Sequence, residues 1–200
     1  MITLWFAPRT RSVRVRWLLE ELGVPYELRR VTFNVPKQTF DQDTPLGKLP
    51  VIQDGDVTIC ESGAIVEYIV ERYGNGRLAP AIGSPLRGPY LQWIHFAEST
   101  AFAPLGVIVW HVRYQQDAAA VSGAIAGAHT RAHSAFAFIE RALDGKDHLL
   151  GAEFSAADVM MGFTLLAARL LGVLDDRYPN ITRYVARLEA RPALRAAAVL

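Results

Sequence analysis

The opening of the chain holds a pattern that few folds accommodate: a short apolar run, an amphipathic helix and a second extended run, each with its own stop signal. Residues 2–6 read Ile-Thr-Leu-Trp-Phe, short and apolar and closed by Pro8, which predicts a strand. Along 13–22, Val15, Leu18, Leu19 and Leu22 fall at i, i+3, i+4 and i+7, one apolar helical stripe. Gly23 and then Pro25 stop the helix in the usual order. Residues 26–31 predict a second strand. Strand, helix and strand at this spacing call for two parallel strands joined by a right-handed crossover.

A polar, irregular stretch over 34–47 follows, carrying Pro36 and Pro45. Residues 51–53 and 57–60 then flank Asp54-Gly55-Asp56, a hairpin signal. A helix is predicted over 62–73, with Ile65, Val66, Ile69 and Val70 as its buried face. The order β-α-β-α-β-β-α is that of a thioredoxin-like α/β domain. The run from Gly74-Asn75-Gly76 through Pro80, Gly83, Pro85, Gly88 and Pro89 is rich in turn formers and predicts a domain boundary. Beyond it every periodic segment is helical: 89–114, 118–143, 156–171, 181–190 and a short piece after Pro192. The expected organisation is an α/β thioredoxin-like domain over 1–76, a linker over 77–85, and an all-α helical bundle over 86–200. One helix start is sharply marked, with Ser155 at the N-cap, Asp158 three residues on, and Phe154 and Val159 placed for a hydrophobic staple.

Composition removes several classes of function. With 21 basic and 20 acidic residues the net charge is +1, which provides no field for non-specific nucleic-acid binding. No run reaches the ~18 uninterrupted apolar residues of a membrane span, and the start is too short an apolar run for a signal peptide. The most apolar region, 101–112, contains Pro104 and His111 and reads as a buried helix face. Cys60 is the one cysteine, so no internal disulfide or cysteine-based zinc cluster forms, and a reducing cytoplasm is the expected compartment. His129 and His133 stand four apart without the carboxylate of a metalloprotease motif, and no metal is expected.

Three segments carry a resemblance. Pro45-Leu46-Gly47-Lys48-Leu49-Pro50-Val51, then Cys60-Glu61-Ser62-Gly63-Ala64-Ile65 with Tyr68, and the stretch from Arg14-Val15-Arg16-Trp17 to Gly23-Val24-Pro25-Tyr26-Glu27 resemble the glutathione transferase family. The Ser155-x-x-Asp158 box resembles that family's helical-domain folding motif. The resemblance implies glutathione as co-substrate, a small apolar electrophile as partner, and a homodimer. It covers nearly the whole chain, most specifically the first domain.

Glutathione has two carboxylates, one ammonium and one thiol, and the residues at hand suit them. Leu49-Pro50 resembles the family's cis-proline turn, which would present the backbone of Leu49 or Val51 to the cysteinyl part as an added strand does; the plain alternative is a trans proline opening a strand. Ser62 offers a hydroxyl and an N–H at a helix N-terminus, and Glu61 could pair with the γ-glutamyl ammonium. The plain alternative is that Ser62 only caps its helix. Lys48 suits the glycyl carboxylate, as do Lys37 or Gln38, and Arg11 belongs to the same set.

The thiol needs a hydrogen-bond donor, because a free thiol with a pKa near ~8.5 is only slightly ionised at neutral pH. Thr10 and Ser12 are the candidates; relatives with this turn carry serine where Thr10 stands. Thr10 is preferred as donor and Ser12 as N-cap. The first tyrosine is Tyr26, which argues against the tyrosine-activated branch. Residues 7–12 hold no cysteine, which argues against thioredoxin-type redox chemistry. The second substrate is expected along Phe102, Leu105, Trp110, His111 and Tyr114, each of which could equally be core. Two functions from different classes therefore stand: conjugation of glutathione to electrophiles, with peroxidase, isomerase or dehalogenase variants, and a binding module that keeps the fold without catalysis.

Overall fold

The computed structural model describes residues 1–34, 39–40, 47–114 and 118–198. Two compact units emerge: 1–82 together with 189–200, and 83–188.

The first unit is built on a four-stranded sheet. Its strands are β1 (Ile2–Phe6), β2 (Tyr26–Arg30), β5 (Val51–Asp54) and β6 (Val57–Cys60), in the order β2-β1-β5-β6. β1 runs parallel to β2, with Ile2 opposite Tyr26, and antiparallel to β5; β5 runs antiparallel to β6. The parallel pair is the one that the opening pattern demands. Between β2 and β5 lie two short segments, β3 (Phe33–Asn34) and β4 (Thr39–Phe40), which form an antiparallel ribbon of their own. Helix α1 (Ser12–Leu22) crosses from β1 to β2, and α2 (Ser62–Tyr73) follows β6.

Alternation on β1 buries Ile2, Leu4 and Phe6 while leaving Thr3 and Trp5 half-exposed. The predicted α1 stripe, Val15, Leu18, Leu19 and Leu22, is buried, as are Ile65, Val66, Ile69 and Val70 of α2. Each such side chain contributes roughly 1.5–3 kcal/mol on removal from water. Gly23 ends α1 in the left-handed conformation (φ 67°), and Gly55 takes φ 61° in the β5–β6 hairpin, a geometry that favours glycine at both turns.

The last helix, α8 (Pro192–Ala198), packs on α1 and so belongs with the sheet rather than with the other helices. Leu194 and Ala197 are buried there, and Arg191 forms a two-pronged pair with Glu21 (Nε–Oε1 2.6 Å, Nη2–Oε2 2.8 Å).

The second unit is helical. It comprises α3 (Arg87–Phe96), a π-helical turn (Ala97–Phe102), α4 (Ala103–Tyr114), α5 (Ala118–Ala142), α6 (Ala156–Leu170) and α7 (Pro179–Glu189). The π turn lies just before Pro104, whose ring lacks the N–H for a regular α-helical bond. Ala128, Ala132 and Ala135 of α5 are buried, small enough to admit close neighbours. At the head of α6, the fully buried Asp158 collects four donors: Ser155 N–H (2.8 Å) and Ser155 Oγ (2.9 Å) on Oδ2, and Leu149 N–H (2.9 Å) and Tyr184 OH (2.9 Å) on Oδ1. The acidic half of the predicted box therefore also ties α6 to the preceding turn and to α7. Among the described residues, no helix is long and apolar enough to cross a membrane.

Candidate functional site

Strand register brings three separate sequence segments to one end of the sheet. Trp5, near the end of β1, stands opposite Val51, the first residue of β5, and Val51 stands opposite Cys60, the last residue of β6. The turn 7–12, the Leu49-Pro50 pair and the Glu61-Ser62 pair all leave the sheet from that row. Ala7, Val31 and Leu49 form a small buried cluster with Trp5 packed against it, so the first two segments also share apolar contact.

The Leu49–Pro50 peptide is cis. Val51 already sits in both ladders, between Trp5 and Cys60, whereas Leu49 precedes the strand. Of the two backbones considered for strand-like pairing, Leu49 is thus the one outside the sheet. Lys48 is exposed beside it. Lys37 and Gln38 lie outside the described residues.

In the turn 7–12 the two hydroxyls meet. Thr10 Oγ1 and Ser12 Oγ are 2.6 Å apart, and either can donate to the other. The Ala7 carbonyl, 2.7 Å from Thr10 Oγ1, is the other acceptor within reach of the Thr10 proton. Ser12 accepts from Ala7 N–H (3.3 Å) and donates to the Ala7 carbonyl (3.1 Å). The expected N-cap role of Ser12 is corrected here: it is the first residue of α1, Arg11 occupies the N-cap position, and no side chain caps the helix. The physical reason is that Ala7 turns both backbone groups toward Ser12, and the Ser12 N–H itself reaches Thr10 Oγ1 at 3.3 Å. Ser12 is fully buried, while Thr10 and Arg11 are half-buried. Of the two residues, Thr10 is the less buried.

At the third segment, Glu61 is exposed and holds φ 75°, ψ 113°, a left-handed conformation that costs a non-glycine residue of order 1–3 kcal/mol. Its carbonyl begins α2 by accepting Ile65 N–H at 2.9 Å. Neither Glu61 nor Ser62 caps α2 with its side chain, so the capping alternative for Ser62 does not hold. Ser62 is buried and its Oγ accepts from Arg14 Nη1 of α1 at 2.9 Å. Sequence reasoning passed over Arg14. The signal was its position, one helical turn before Leu18 on the apolar stripe, where a charged residue is out of place.

Cys60 is half-buried at the end of β6. In the helical unit, Phe102 is half-buried and stacks on Phe163 (centroids 6.0 Å apart). Leu105 is wholly buried as core, Trp110 is 47% exposed, and His111 Nδ1 lies 2.8 Å from the Val107 carbonyl. Tyr114 ends α4, and its side chain lies outside the described residues. Among the described residues no cluster of three or more His, Cys, Asp or Glu side chains is set to hold a metal ion.

Comparison with known proteins places this arrangement. Residues 1–71 match the family model "Glutathione S-transferase, N-terminal domain" and 122–187 match "Glutathione S-transferase, C-terminal domain". Glutathione S-transferase 3 of Schizosaccharomyces pombe is 32% identical over 99% of this chain and 87% of its own. The chain belongs to the glutathione transferase family. Among solved structures, a glutathione transferase from Actinobacillus pleuropneumoniae is 30% identical, with a TM-score of 0.83 over 98% of this chain and 91% of its own. A sphingomonad transferase solved in complex with glutathione is 28% identical, with a TM-score of 0.80 over 98% and 96%. Family membership accounts for the mixed sheet and the helical unit that follows it.

Proposed function

We propose that this family member binds glutathione at the shared end of the sheet and conjugates its thiolate to small apolar electrophiles. The observation that supports the reading is the row Trp5–Val51–Cys60, from which the turn 7–12, the Leu49-Pro50 pair and the Glu61-Ser62 pair leave one end of the sheet. Glu61 takes the ammonium. The Ser62 hydroxyl and the first N–H groups of α2 take the γ-glutamyl carboxylate, where the helix dipole favours an anion. The Leu49 backbone pairs with the cysteinyl unit, and Lys48, with Gln38, takes the glycyl carboxylate. Arg11 flanks the thiol.

The Thr10 hydroxyl donates a hydrogen bond to the sulfur and keeps its proton. A donor to the anion lowers the thiol pKa, and each unit corresponds to ~1.4 kcal/mol. The thiol proton leaves to solvent, the thiolate forms a carbon–sulfur bond with the electrophile, and the leaving group departs with its electron pair. The second substrate is assigned to the helical unit along Phe102, Trp110 and His111. We assign the protein to the cytoplasm and to a homodimer, with the exposed side of α2 and residues 90–102 as the pairing surfaces; light scattering at micromolar concentration should return twice the mass of one chain, and the mass of a single chain would exclude the dimer.

A second reading, a glutathione-binding module without turnover, draws support from Thr10, whose hydroxyl is already engaged by the Ala7 carbonyl and Ser12. Turnover separates the two. Purified protein with glutathione and a chlorodinitrobenzene should yield the thioether well above the uncatalysed rate. Tight glutathione binding with no rate enhancement across a panel of aryl halides, epoxides and hydroperoxides would select the binding module.

A further inference from the structure

Beneath the N-terminus of α2, Ser62 of the proposed glutathione site is paired with a buried residue that the site does not yet use. Arg14 is fully buried on α1, and its Nη1 donates to Ser62 Oγ at 2.9 Å. A serine hydroxyl has one proton and two lone pairs. Arg14 occupies a lone pair. The proton of Ser62 meets no acceptor among the described residues, although Ser62 is only 2% exposed. Nor is that hydroxyl spent on capping α2. Leaving a buried donor unused is unfavourable. This one lies directly beside the strained Glu61 backbone.

We propose that Arg14 is a positioning residue that makes Ser62 selective for a carboxylate. By filling a lone pair of Oγ it confines the hydroxyl proton to the remaining directions, away from α1, and it polarises the O–H into a stronger donor. The ligand group that this arrangement fits is an anionic acceptor, the α-carboxylate of the γ-glutamyl unit. The inference rests on the glutathione reading above and deepens it: Ser62 touches the ligand, and Arg14 acts on the ligand through Ser62.

The test compares two ligands by calorimetry: glutathione, and 4-aminobutyryl-cysteinyl-glycine, which lacks only that carboxylate. The wild-type protein should prefer glutathione by at least tenfold. Arg14→Met should lose most of that preference while binding the analogue as the wild type does. Ser62→Ala should lose it to the same extent, and the double variant should lose no more than Ser62→Ala alone, as expected of residues that act as a unit. Should Arg14→Met fail to fold, Arg14→Gln, too short to reach Oγ yet polar, is expected to give the same result. Equal weakening of both ligands by the Arg14 variants would mean that Arg14 only supports the fold, and the inference would be wrong. The same holds if Ser62→Ala abolishes the preference and the Arg14 variants keep it; the site reading then stands alone. A wild-type protein indifferent to the carboxylate would overturn the site reading itself.

Discussion

At the residue scale, the proposed thiol activation turns on the two hydroxyls of the turn 7–12. Sequence narrowed the candidates to Thr10 and Ser12, because they carry the hydroxyls of the turn 7–12. It misassigned the duty of Ser12, since N-cap preference was the only local rule available and the pull of the Ala7 backbone on Ser12 is a property of the folded turn. Thr10→Val keeps the shape and removes the donor, so the thiol pKa of bound glutathione should rise by about one unit or more, with affinity little changed. Rate at neutral pH should fall roughly tenfold and recover at alkaline pH. Ser12→Ala strands the Ala7 N–H and should lower stability by about 1–2 kcal/mol, with a smaller shift of the thiol than Thr10→Val gives. If absorbance titration shows the larger shift in Ser12→Ala, the two roles are exchanged.

At the scale of elements, strong periodicity was legible and placement was not. The stripes of α1 and α2, the hairpin at Gly55 and the start of α6 at Ser155 each follow from local chemistry. The short α8, expected in the helical domain over 86–200, joins the sheet unit instead, where it packs on α1 and Arg191 meets Glu21, contacts that its short pattern does not display. The π turn was signalled only by Pro104. The four donors on Asp158 explain why the box is more than a cap. Asp158→Ala leaves two buried N–H groups and the Tyr184 hydroxyl without that acceptor, and should cost roughly 3–5 kcal/mol in denaturant unfolding; a loss below about 1 kcal/mol would show the hub to be dispensable.

A second hub joins β5 to α2. Asp54 accepts from Tyr73 OH (2.5 Å) and Tyr68 OH (2.8 Å) and pairs with Arg72 (3.2 Å). The Tyr73 hydrogen bond, then that of Tyr68 and the charge of Arg72, hold its carboxyl below the ordinary range despite burial. A depressed folded pKa means stabilisation that is present above the unfolded value of about 3.9 and lost as pH falls through the folded one. Wild type should therefore exceed Asp54→Asn in stability at neutral pH, and the gap should close below about pH 4. A gap independent of pH would remove the ion pair from the account of acid stability.

For the whole molecule, family membership follows from sequence and fold together, whereas the proposed activity rests on a few atoms at the end of the sheet. Sequence motifs identified the three segments that meet there, because each keeps its own chemistry: a hydroxyl turn, a Leu-Pro pair and an acidic residue before a helix. Their meeting depends on register between β1, β5 and β6, and the buried support from Arg14 depends on α1 lying against α2, neither of which a single sequence displays. The most direct measurement is the ultraviolet absorbance of the bound glutathione thiolate, titrated against pH in the wild-type complex. A transferase site should bring the midpoint at least one unit below that of the free thiol, giving a substantial thiolate population at neutral pH. A midpoint at the free value, with glutathione fully bound, would contradict thiol activation and leave a binding protein.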